Sequence, residues 1–313
     1  MIKISIELFY VTFCIIIIMK EKIEYYFLKA FIFVLGFMPG FLIYGTLKFV
    51  ARLLFRFEKR RSRLTMQNLH AVYPKKGEKE IRELALKSYE SVARTLAEIV
   101  LMLNNKIDLD LMVENGDDFL KKLKDYTKDA KNGIVIITAH FSNWELAAQF
   151  LPLHGFPMVA IGREGNNRLI EQKITTPFRQ RYGNKNIYKK SALLGIIKAL
   201  KRNQLVGLLF DQKAGGRNSI KVDFFGLSAD TTVSIAEMKL KFDPLILPVF
   251  FPRQKNGKYR AVIYEPVEYR ADESSKKSEK LKKMTQKYND ILEEVIREYP
   301  EQWFWMHNRW RLA

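Results

Sequence analysis

The sequence predicts an α/β fold in which helices flank a central, mostly parallel β-sheet, preceded by an N-terminal membrane-associated helix. Short, nearly unbroken apolar runs at 133–138 and 205–210 are typical of strands that are buried on both faces. Segments with helical periodicity alternate with these runs, as in layered α/β domains. The stretch Ala30–Leu47 contains no charged residue, which predicts the membrane helix.

The chain is long enough for a sizeable core and is strongly basic. Its 313 residues suit one large domain or two modest ones. With 53 Lys and Arg against 34 Asp and Glu, the net charge of +19 favours an acidic partner. Nucleic acid is disfavoured, because the basic residues are dispersed and no nucleic-acid-binding motif occurs. Since Cys14 is the only cysteine, an intramolecular disulfide and a Cys-rich zinc site are excluded.

Residues 1–58 are predicted to form an apolar membrane anchor. Ala30–Leu47 is flanked by lysines whose charges can reach the membrane surface, so its length suits one span. Pro39 and its neighbouring glycines would kink such a helix, which leaves an interfacial hairpin as the alternative. Leu8–Met19 is too short to span, and Met19 is an alternative start, in which case residues 1–18 result from a mis-called start codon.

The basic run Lys59–Arg63 follows the apolar head. Basic residues beside a membrane segment stay cytoplasmic, so residues 59–313 are predicted to form a domain on the cytoplasmic side. A solvated helix end is the alternative explanation of the run.

The remaining elements are predicted from apolar periodicity. A helix is expected over 78–102, and a last, Lys-rich helix over 273–298 is either a docking surface for an acidic partner or simply a solvated face. The predicted strands are 133–138, 157–161, 205–210 and 245–251, with 219–225 and 259–264 as candidate edge strands.

The segment TAHFSNWE, residues 138–145, links the end of a strand to a predicted helix over Trp144–Leu153. His140 therefore falls at the carboxyl end of the sheet, where ligands bind in open α/β folds. Glu145 can fold back onto His140, fix its tautomer and leave the other ring nitrogen as a general base. Alternatively, Ser142 and Glu145 form a capping box and His140 is an ordinary surface residue. No metal-binding His-Glu-x-x-His and no nucleophile elbow is present.

The C-terminal segment PEQWFWMHNRWR, residues 300–311, contains three of the four tryptophans. Tryptophan beside arginine suits a membrane interface or a site for an anionic amphiphile. A segment that closes the hydrophobic core is the equal alternative.

Together these motifs resemble the lipid A biosynthesis late acyltransferases, the lauroyl and myristoyl transferases of Gram-negative envelopes. The resemblance rests on HFSNWE, on Asp211-Gln212 after a strand, on Phe224-Phe225-Gly226 and on the closing PEQWFWMHNRW, and it covers about residues 25–311. It implies a glycerolipid acyltransferase-like fold. It also implies that His140 is the general base, that Glu145 orients it, and that Arg179 and Asp211 take part in catalysis. The substrate-binding residues that it implies are Ser142, Asn143, Arg163 and Gln212.

The expected function is transfer of a fatty acyl chain from an acyl carrier protein thioester to a hydroxyl of a lipid A precursor. The expected place is the cytoplasmic face of the inner membrane, in contact with its lipids. No cofactor is expected apart from the phosphopantetheine that the donor carries, with coenzyme A as an alternative donor. Acylation of another glycolipid or phospholipid, and a basic membrane-tethered binding protein, are the alternative functions.

Overall fold

The computed structural model describes residues 2–188, 192–269 and 276–312, with side chains from residue 19 on except at 192, 193 and 217. Twelve α-helices lie in this described part of the chain. The helices are α1 (Ile2–Phe37), α2 (Gly40–Phe57), α3 (Lys59–Val72), α4 (Glu78–Leu103), α5 (Leu109–Met112), α6 (Gly116–Thr127), α7 (Trp144–Leu153), α8 (Arg168–Ile170), α9 (Thr176–Gln180), α10 (Ala192–Lys201), α11 (Ser234–Phe242) and α12 (Lys277–Glu298).

The strands form one mixed sheet and one separate hairpin. The strands are β1 (Ile134–Thr138), β2 (Met158–Gly162), β3 (Lys185–Tyr188), β4 (Leu205–Leu209), β5 (Ser219–Phe224), β6 (Leu227–Thr232), β7 (Leu245–Phe250) and β8 (Val262–Ile263). The main sheet has the order β3-β2-β4-β1-β7-β8, and β5 pairs only with β6. All pairs of the main sheet are parallel except β7 with β8. The predicted α/β class with a mostly parallel sheet is therefore confirmed.

Successive side chains of the central strands point alternately into two hydrophobic cores, one on each face of the sheet. In β1, Val135 and Ile137 join the core beneath α10 and α12, whereas Ile134 and Ile136 join the core beneath α6 and α7. This period of two is what a strand between two helical layers requires. The four strands predicted from apolar runs, β1, β2, β4 and β7, are all present.

Three predictions for the periphery need correction or qualification. Segment 219–225 forms a hairpin with β6 instead of an edge of the main sheet. Of the two edge strands of the main sheet, β8 lies within the predicted segment 259–264, whereas β3 was missed because its four residues alternate too little to stand out. The helix predicted over 273–298 is α12, which begins at Lys277, and positions 273–275 lie outside the described residues.

The uncharged N-terminal run is divided between two helices. Helix α1 ends at Phe37, and α2 starts at Gly40 after Pro39, whose ψ of 145° is extended. Proline cannot donate the backbone hydrogen bond that would continue α1. In the described part of the chain, no helix is both long enough and apolar enough to cross a bilayer. The predicted membrane-spanning helix over Ala30–Leu47 is therefore not supported.

Helix α2 packs on α4 through one narrow face. Ile43, Leu47, Ala51 and Phe55 recur every four residues, are buried, and share a core with residues of α3 and α4. The other faces of α1 and α2 leave large apolar side chains in contact with solvent. These exposed side chains are Met19, Ile23, Tyr26, Phe27, Phe33, Val34, Phe37, Phe41, Leu42, Phe49, Val50, Leu53, Leu54 and Phe57.

The C-terminal tryptophans close the core. Trp303, Trp305 and Trp310 are all buried, with Trp303 and Trp305 rings 4.7 Å apart. Each indole N–H has a partner; that of Trp305 donates to the Pro300 carbonyl at 2.6 Å, and that of Trp310 to Phe224 at 3.2 Å. Of the two alternatives for this segment, the core is correct and the membrane interface is wrong for these three side chains.

Candidate active site

His140 and Asp211 meet at the carboxyl ends of two neighbouring strands. His140 follows β1, and Asp211 follows β4, which pairs with β1 in parallel register. The His140 Nδ1 and Asp211 Oδ1 atoms are 2.9 Å apart. Since a carboxylate only accepts, Nδ1 carries the proton and Nε2 is the nitrogen left for a ligand.

The protein interior sets the charges of this pair. Burial lowers the pKa of His140, but the charge and hydrogen bond of Asp211 outweigh it, so this pKa lies above its ordinary value. Burial raises the pKa of Asp211, yet the His140 charge and the hydrogen bonds from His140 and Trp303 bring it below its ordinary value. The Trp303 indole N–H donates to Asp211 Oδ2 at 2.9 Å. The structure therefore favours an ionised carboxylate under the imidazole.

Glu145 has a different partner from the one expected from its spacing. Its carboxylate lies in the first turn of α7 and accepts from both Nε and Nη2 of Arg179, with Nε 3.1 Å from Oε2. The carboxylate that is hydrogen-bonded to His140 belongs to Asp211, which is 71 residues away. Glu145 still raises the pKa of His140 through its charge, while Arg179 lowers it. The two carboxylates thus act on His140 in different ways.

The turn before α7 is built by Asn143 and Ser142. Asn143 is the N-cap, accepting from the Leu146 N–H at 2.9 Å, so the capping box of Ser142 with Glu145 is wrong. Ser142 has a φ of 53°, and its backbone N–H donates to the Gln302 carbonyl at 2.7 Å. Both residues are buried and neither lines the neighbouring cavity. Their geometry fits a role in shaping the turn better than the substrate binding implied by the resemblance.

A buried polar network holds Asn143 of this turn in place. The Asn143 amide donates to Glu98 Oε2 at 2.7 Å, and Glu98 also accepts from the Tyr259 hydroxyl and from Arg253. Gln302 in turn holds the backbone of Arg253. Its side-chain oxygen accepts from the Arg253 N–H, and its side-chain amide donates to the Arg253 carbonyl, both at 2.8 Å. Since a buried charge must be paired, the network fixes the positions of its members closely.

Sequence reasoning missed the network, although one signal was available. Ser91, Thr95 and Glu98 lie at helical spacing on the buried side of α4. A polar stripe on a buried helix face implies buried partners. The identity of those partners, Arg253 and Tyr259, is not encoded by any local pattern.

A cavity of about 1380 Å³ opens beside the His140 and Glu145 side chains. Arg163, Arg179 and Gln212 also line it, so these predicted residues do share one site. The Arg163 guanidinium donates to Asn166 within its own loop at 3.0 Å. Much of the remaining wall is apolar, including Leu151, Met158, Ala160, Ile161, Leu208 and Met238, and the wall also includes Lys213, Lys241, Lys277 and Lys280. The volume exceeds that of ordinary drug-sized pockets and suits an amphiphile.

Metal chemistry has no evident site near these groups. Within residues 2–188, 192–269 and 276–312, no three His, Cys, Asp or Glu side chains gather in a metal-binding arrangement.

Known proteins with similar sequences point to one family. A family model described as bacterial lipid A biosynthesis acyltransferase matches residues 17–312. The lipid A biosynthesis lauroyltransferase of Escherichia coli (strain K12) is 28% identical over 266 residues, which is 84% of this chain and 83% of that protein. A lipid A biosynthesis acyltransferase of Haemophilus influenzae is 27% identical over 81% of this chain and 78% of its own length.

A third relative differs in the acyl chain that its name specifies. The lipid A biosynthesis palmitoleoyltransferase of Escherichia coli (strain K12) is 26% identical over 82% of this chain and 80% of that protein. The match over nearly the whole chain makes the protein an acyltransferase and sets aside the alternative of a basic binding protein. The chain belongs to the bacterial lipid A biosynthesis acyltransferase family.

Proposed function

We propose that the protein transfers a fatty acyl chain from an acyl carrier protein thioester to a hydroxyl group of a lipid A precursor. One observation carries the mechanism: Asp211 engages Nδ1 of His140 at 2.9 Å, beside a largely apolar cavity of about 1380 Å³. The names of the similar proteins support the acceptor class.

His140 Nε2 acts as the general base. It removes the proton of the acceptor hydroxyl while the oxygen attacks the thioester carbonyl carbon. When the tetrahedral intermediate collapses, the carbon–sulfur bond breaks and the imidazolium returns the proton to the thiolate. Base catalysis of this kind contributes about 10²–10⁴-fold to a rate. Asp211 stabilises the imidazolium that forms in between, as the carboxylate of a catalytic triad does.

Arg179 stabilises negative charge in the cavity. Glu145 binds its Nε and Nη2, which orients the guanidinium and leaves Nη1 without a partner among the described residues. A fixed donor near the reacting carbonyl stabilises the oxyanion without reorganisation. In this proposal Glu145 acts on Arg179 by contact and on His140 by charge.

The basic side chains of the cavity suit two acidic substrates. Arg163 lines the same cavity as His140 and fits a phosphate of the acceptor. Lys277 and Lys280 of α12 are cavity residues that fit the phosphodiester and acidic surface of a carrier protein. Coenzyme A carries the same phosphopantetheine arm and is the alternative donor.

The exposed apolar faces of α1 and α2 attach the protein to the inner membrane from the cytoplasmic side. Apolar side chains such as Phe27, Phe41 and Phe49 are exposed, and the basic run Lys59–Arg63 follows directly. Apolar burial and attraction to anionic lipid add together in interfacial binding. This arrangement needs no membrane span and brings the cavity close to its lipid substrate.

The test is transfer of labelled acyl chain from acyl carrier protein to purified lipid A precursor by detergent-solubilised protein. We expect His140→Ala and Asp211→Asn each to lower the rate by about 10²–10⁴-fold. Glu145→Gln keeps the size of the side chain but weakens its bond to Arg179, so a smaller loss of about 10–10²-fold is expected.

A second histidine–aspartate pair provides the matched control. His154 and Asp110 are 2.7 Å apart on the surface, outside the cavity. His154→Ala and Asp110→Asn should keep the wild-type rate. A His140→Ala protein with the wild-type rate would refute the mechanism. Transfer only to a phospholipid, or only from coenzyme A, would refute the assigned acceptor or donor.

A further inference from the structure

The C-terminal segment forms a second support for the His140 loop. Phe141 and Trp303 form an antiparallel bridge, the Phe304 N–H donates to the His140 carbonyl at 3.0 Å, and the Ser142 N–H donates to the Gln302 carbonyl. Residues that are 160 to 164 positions apart in sequence therefore share one short ladder. Any shift of the segment around Trp303 moves the backbone that carries His140.

Trp303 also reaches the side chain that holds His140. Its indole Nε1–H donates to Asp211 Oδ2 at 2.9 Å, while Oδ1 of the same carboxylate accepts from His140 at 2.9 Å. Two donors on the two oxygens prevent rotation of the carboxylate. Asp211 is 2% exposed, so water does not readily replace a lost donor.

The indole itself has little freedom to move. The centroid of the Trp303 ring lies 5.6 Å from that of Phe224 and 5.9 Å from that of Trp310, both in edge-on packing. The Ser88 hydroxyl donates to the backbone carbonyl of Trp303 at 3.2 Å. A donor held in this way is already positioned before substrate arrives, which is the property that a supporting residue needs.

Other charged groups also face this pair. His307 and Arg309, on the C-terminal segment, interact with Asp211, whereas Glu145 and Arg179 act on His140 from the other side. Arg309 and Glu145 both have hydrogen-bond partners of their own. The backbone of His140 also forms a hydrogen bond that lowers the pKa of Asp211, and Trp303 is the neutral side chain that donates to this carboxylate.

We propose that Trp303 is a positioning residue, whose indole N–H holds the Asp211 carboxylate in the orientation that accepts the His140 Nδ1 proton. The inference deepens the proposed acyl transfer and depends on it for its kinetic consequence. The residue contacts no substrate and acts through Asp211 alone. Without this donor, Asp211 turns away, and His140 loses the interaction that favours its protonated form and its Nδ1–H tautomer.

The test compares Trp303→Phe with Trp305→Phe. Both tryptophans are buried in the same cluster and both lose one indole hydrogen bond, but Trp305 donates to the Pro300 carbonyl. Nitrogen-15 NMR of the histidine rings, with the His140 signals assigned from a His140→Gln protein, reports the tautomer and pKa without substrate. We expect Trp303→Phe to reduce the Nδ1–H tautomer and lower the pKa of His140. Trp305→Phe should preserve both.

Kinetics provide the second measurement. In Trp303→Phe, kcat/KM should fall by about 10–100-fold, the usual effect of a lost hydrogen bond to a charged group. The acidic limb of the pH profile of kcat/KM should move to lower pH. Trp305→Phe should keep the wild-type profile. Equal effects of the two substitutions, or an unchanged His140 spectrum in Trp303→Phe, would overturn the proposal.

The two measurements separate this inference from the proposed function. An altered His140 spectrum in a protein that transfers no acyl chain would leave the positioning role intact and refute the reaction. If Trp303→Phe does not fold, incorporation of benzothienylalanine at position 303 keeps the shape of the ring and removes only the N–H. The same spectral change is then expected, and its absence would overturn the role.

Discussion

The two ends of the chain are both rich in large apolar side chains, yet the fold uses them in opposite ways. Helices α1 and α2 leave side chains such as Phe41 exposed, whereas Trp305 near the C-terminus is completely buried. The N-terminal helices contact the body through a single face of α2 and a few residues of α1. The C-terminal segment instead lies against α4, the β5–β6 hairpin and the His140 loop.

This difference separates two tasks that composition alone cannot distinguish. An aromatic residue that fills the core stabilises the fold and positions nearby groups, as Trp303 does for Asp211. An aromatic residue that stays exposed on a helix is available to a lipid surface. In the proposed function, the C-terminal segment thus supports the chemistry, and the N-terminal helices attach the protein to the membrane.

The largest expected effect is on stability, at the C-terminus. Trp305→Ala should lower the free energy of unfolding by about 3–5 kcal/mol, because it leaves a cavity among packed rings. Phe41→Ala, at a side chain that is 72% exposed, should change it by less than about 0.5 kcal/mol. Chemical denaturation of both proteins in detergent measures the difference. Similar losses at the two positions would contradict the comparison.

The second prediction concerns membrane binding. Phe49→Ser should weaken binding to anionic lipid vesicles by about 1.5 kcal/mol or more, since a 61% exposed ring then no longer enters the lipid. Leu111→Ser removes a similarly exposed apolar side chain, 67% exposed, from α5 and should bind like the wild type. Vesicle flotation over a range of lipid concentrations measures both. Equal binding by the two variants would exclude α2 from the membrane-binding surface.

The third prediction is that the stability contributed by the His140–Asp211 pair, which the C-terminal Trp303 contacts, depends on pH. The raised pKa of His140 stabilises the fold fully below pH 6.5, the ordinary pKa of histidine. This stabilisation is lost as pH rises through the pKa of His140 in the folded protein. The lowered pKa of Asp211 stabilises above its ordinary value of 3.8 and is lost as pH falls through the folded value. The pair therefore contributes most between these two ordinary values.

Asp211→Asn removes this contribution. The difference in unfolding free energy between wild type and Asp211→Asn should be larger at about pH 5.5 than at about pH 9. The surface pair of His154 and Asp110 serves as the control, and Asp110→Asn should show a much smaller dependence. A difference for Asp211→Asn that does not vary with pH would contradict the assigned charges.

The smallest effect is expected where helix α1 contacts Asn167, in the loop between β2 and α8. The Asn167 amide donates to the Glu21 carbonyl and to the Glu24 carboxylate, both at 2.9 Å, and its oxygen caps α8. Asn167→Ala should cost about 1 kcal/mol of stability, as a lost cap does. Hydrogen exchange should be faster in α1 and α8, while the C-terminal segment stays protected. Uniformly faster exchange would mean that the two ends are not independent.

The elements that local pattern determines were largely predicted from sequence. The apolar run Ile134–Thr138 is a strand because its β-branched residues are buried on both faces, and that requirement is visible in the run itself. The periodic segment Glu78–Leu103 is a helix for a similarly local reason. The short strand Lys185–Tyr188 was missed, because an edge strand with polar residues carries little signal.

The site was predicted in its members but not in all of its contacts. His140, Glu145 and Arg179 were selected and do line one cavity. The partner of His140 was expected five residues away, whereas the hydrogen-bonded carboxylate is that of Asp211. Ser142 and Asn143 were expected to bind substrate, yet their buried side chains belong to the turn.

The sequence by itself determined the fold class, the position of His140 at the end of a strand and the excess of positive charge. Each of these depends on residue type and short-range periodicity, which the chain displays directly. Only the tertiary structure decided which carboxylate holds His140 and which aromatic residues are buried. Both are choices among chemically equivalent groups, and the chain must fold before distance and burial select one of them.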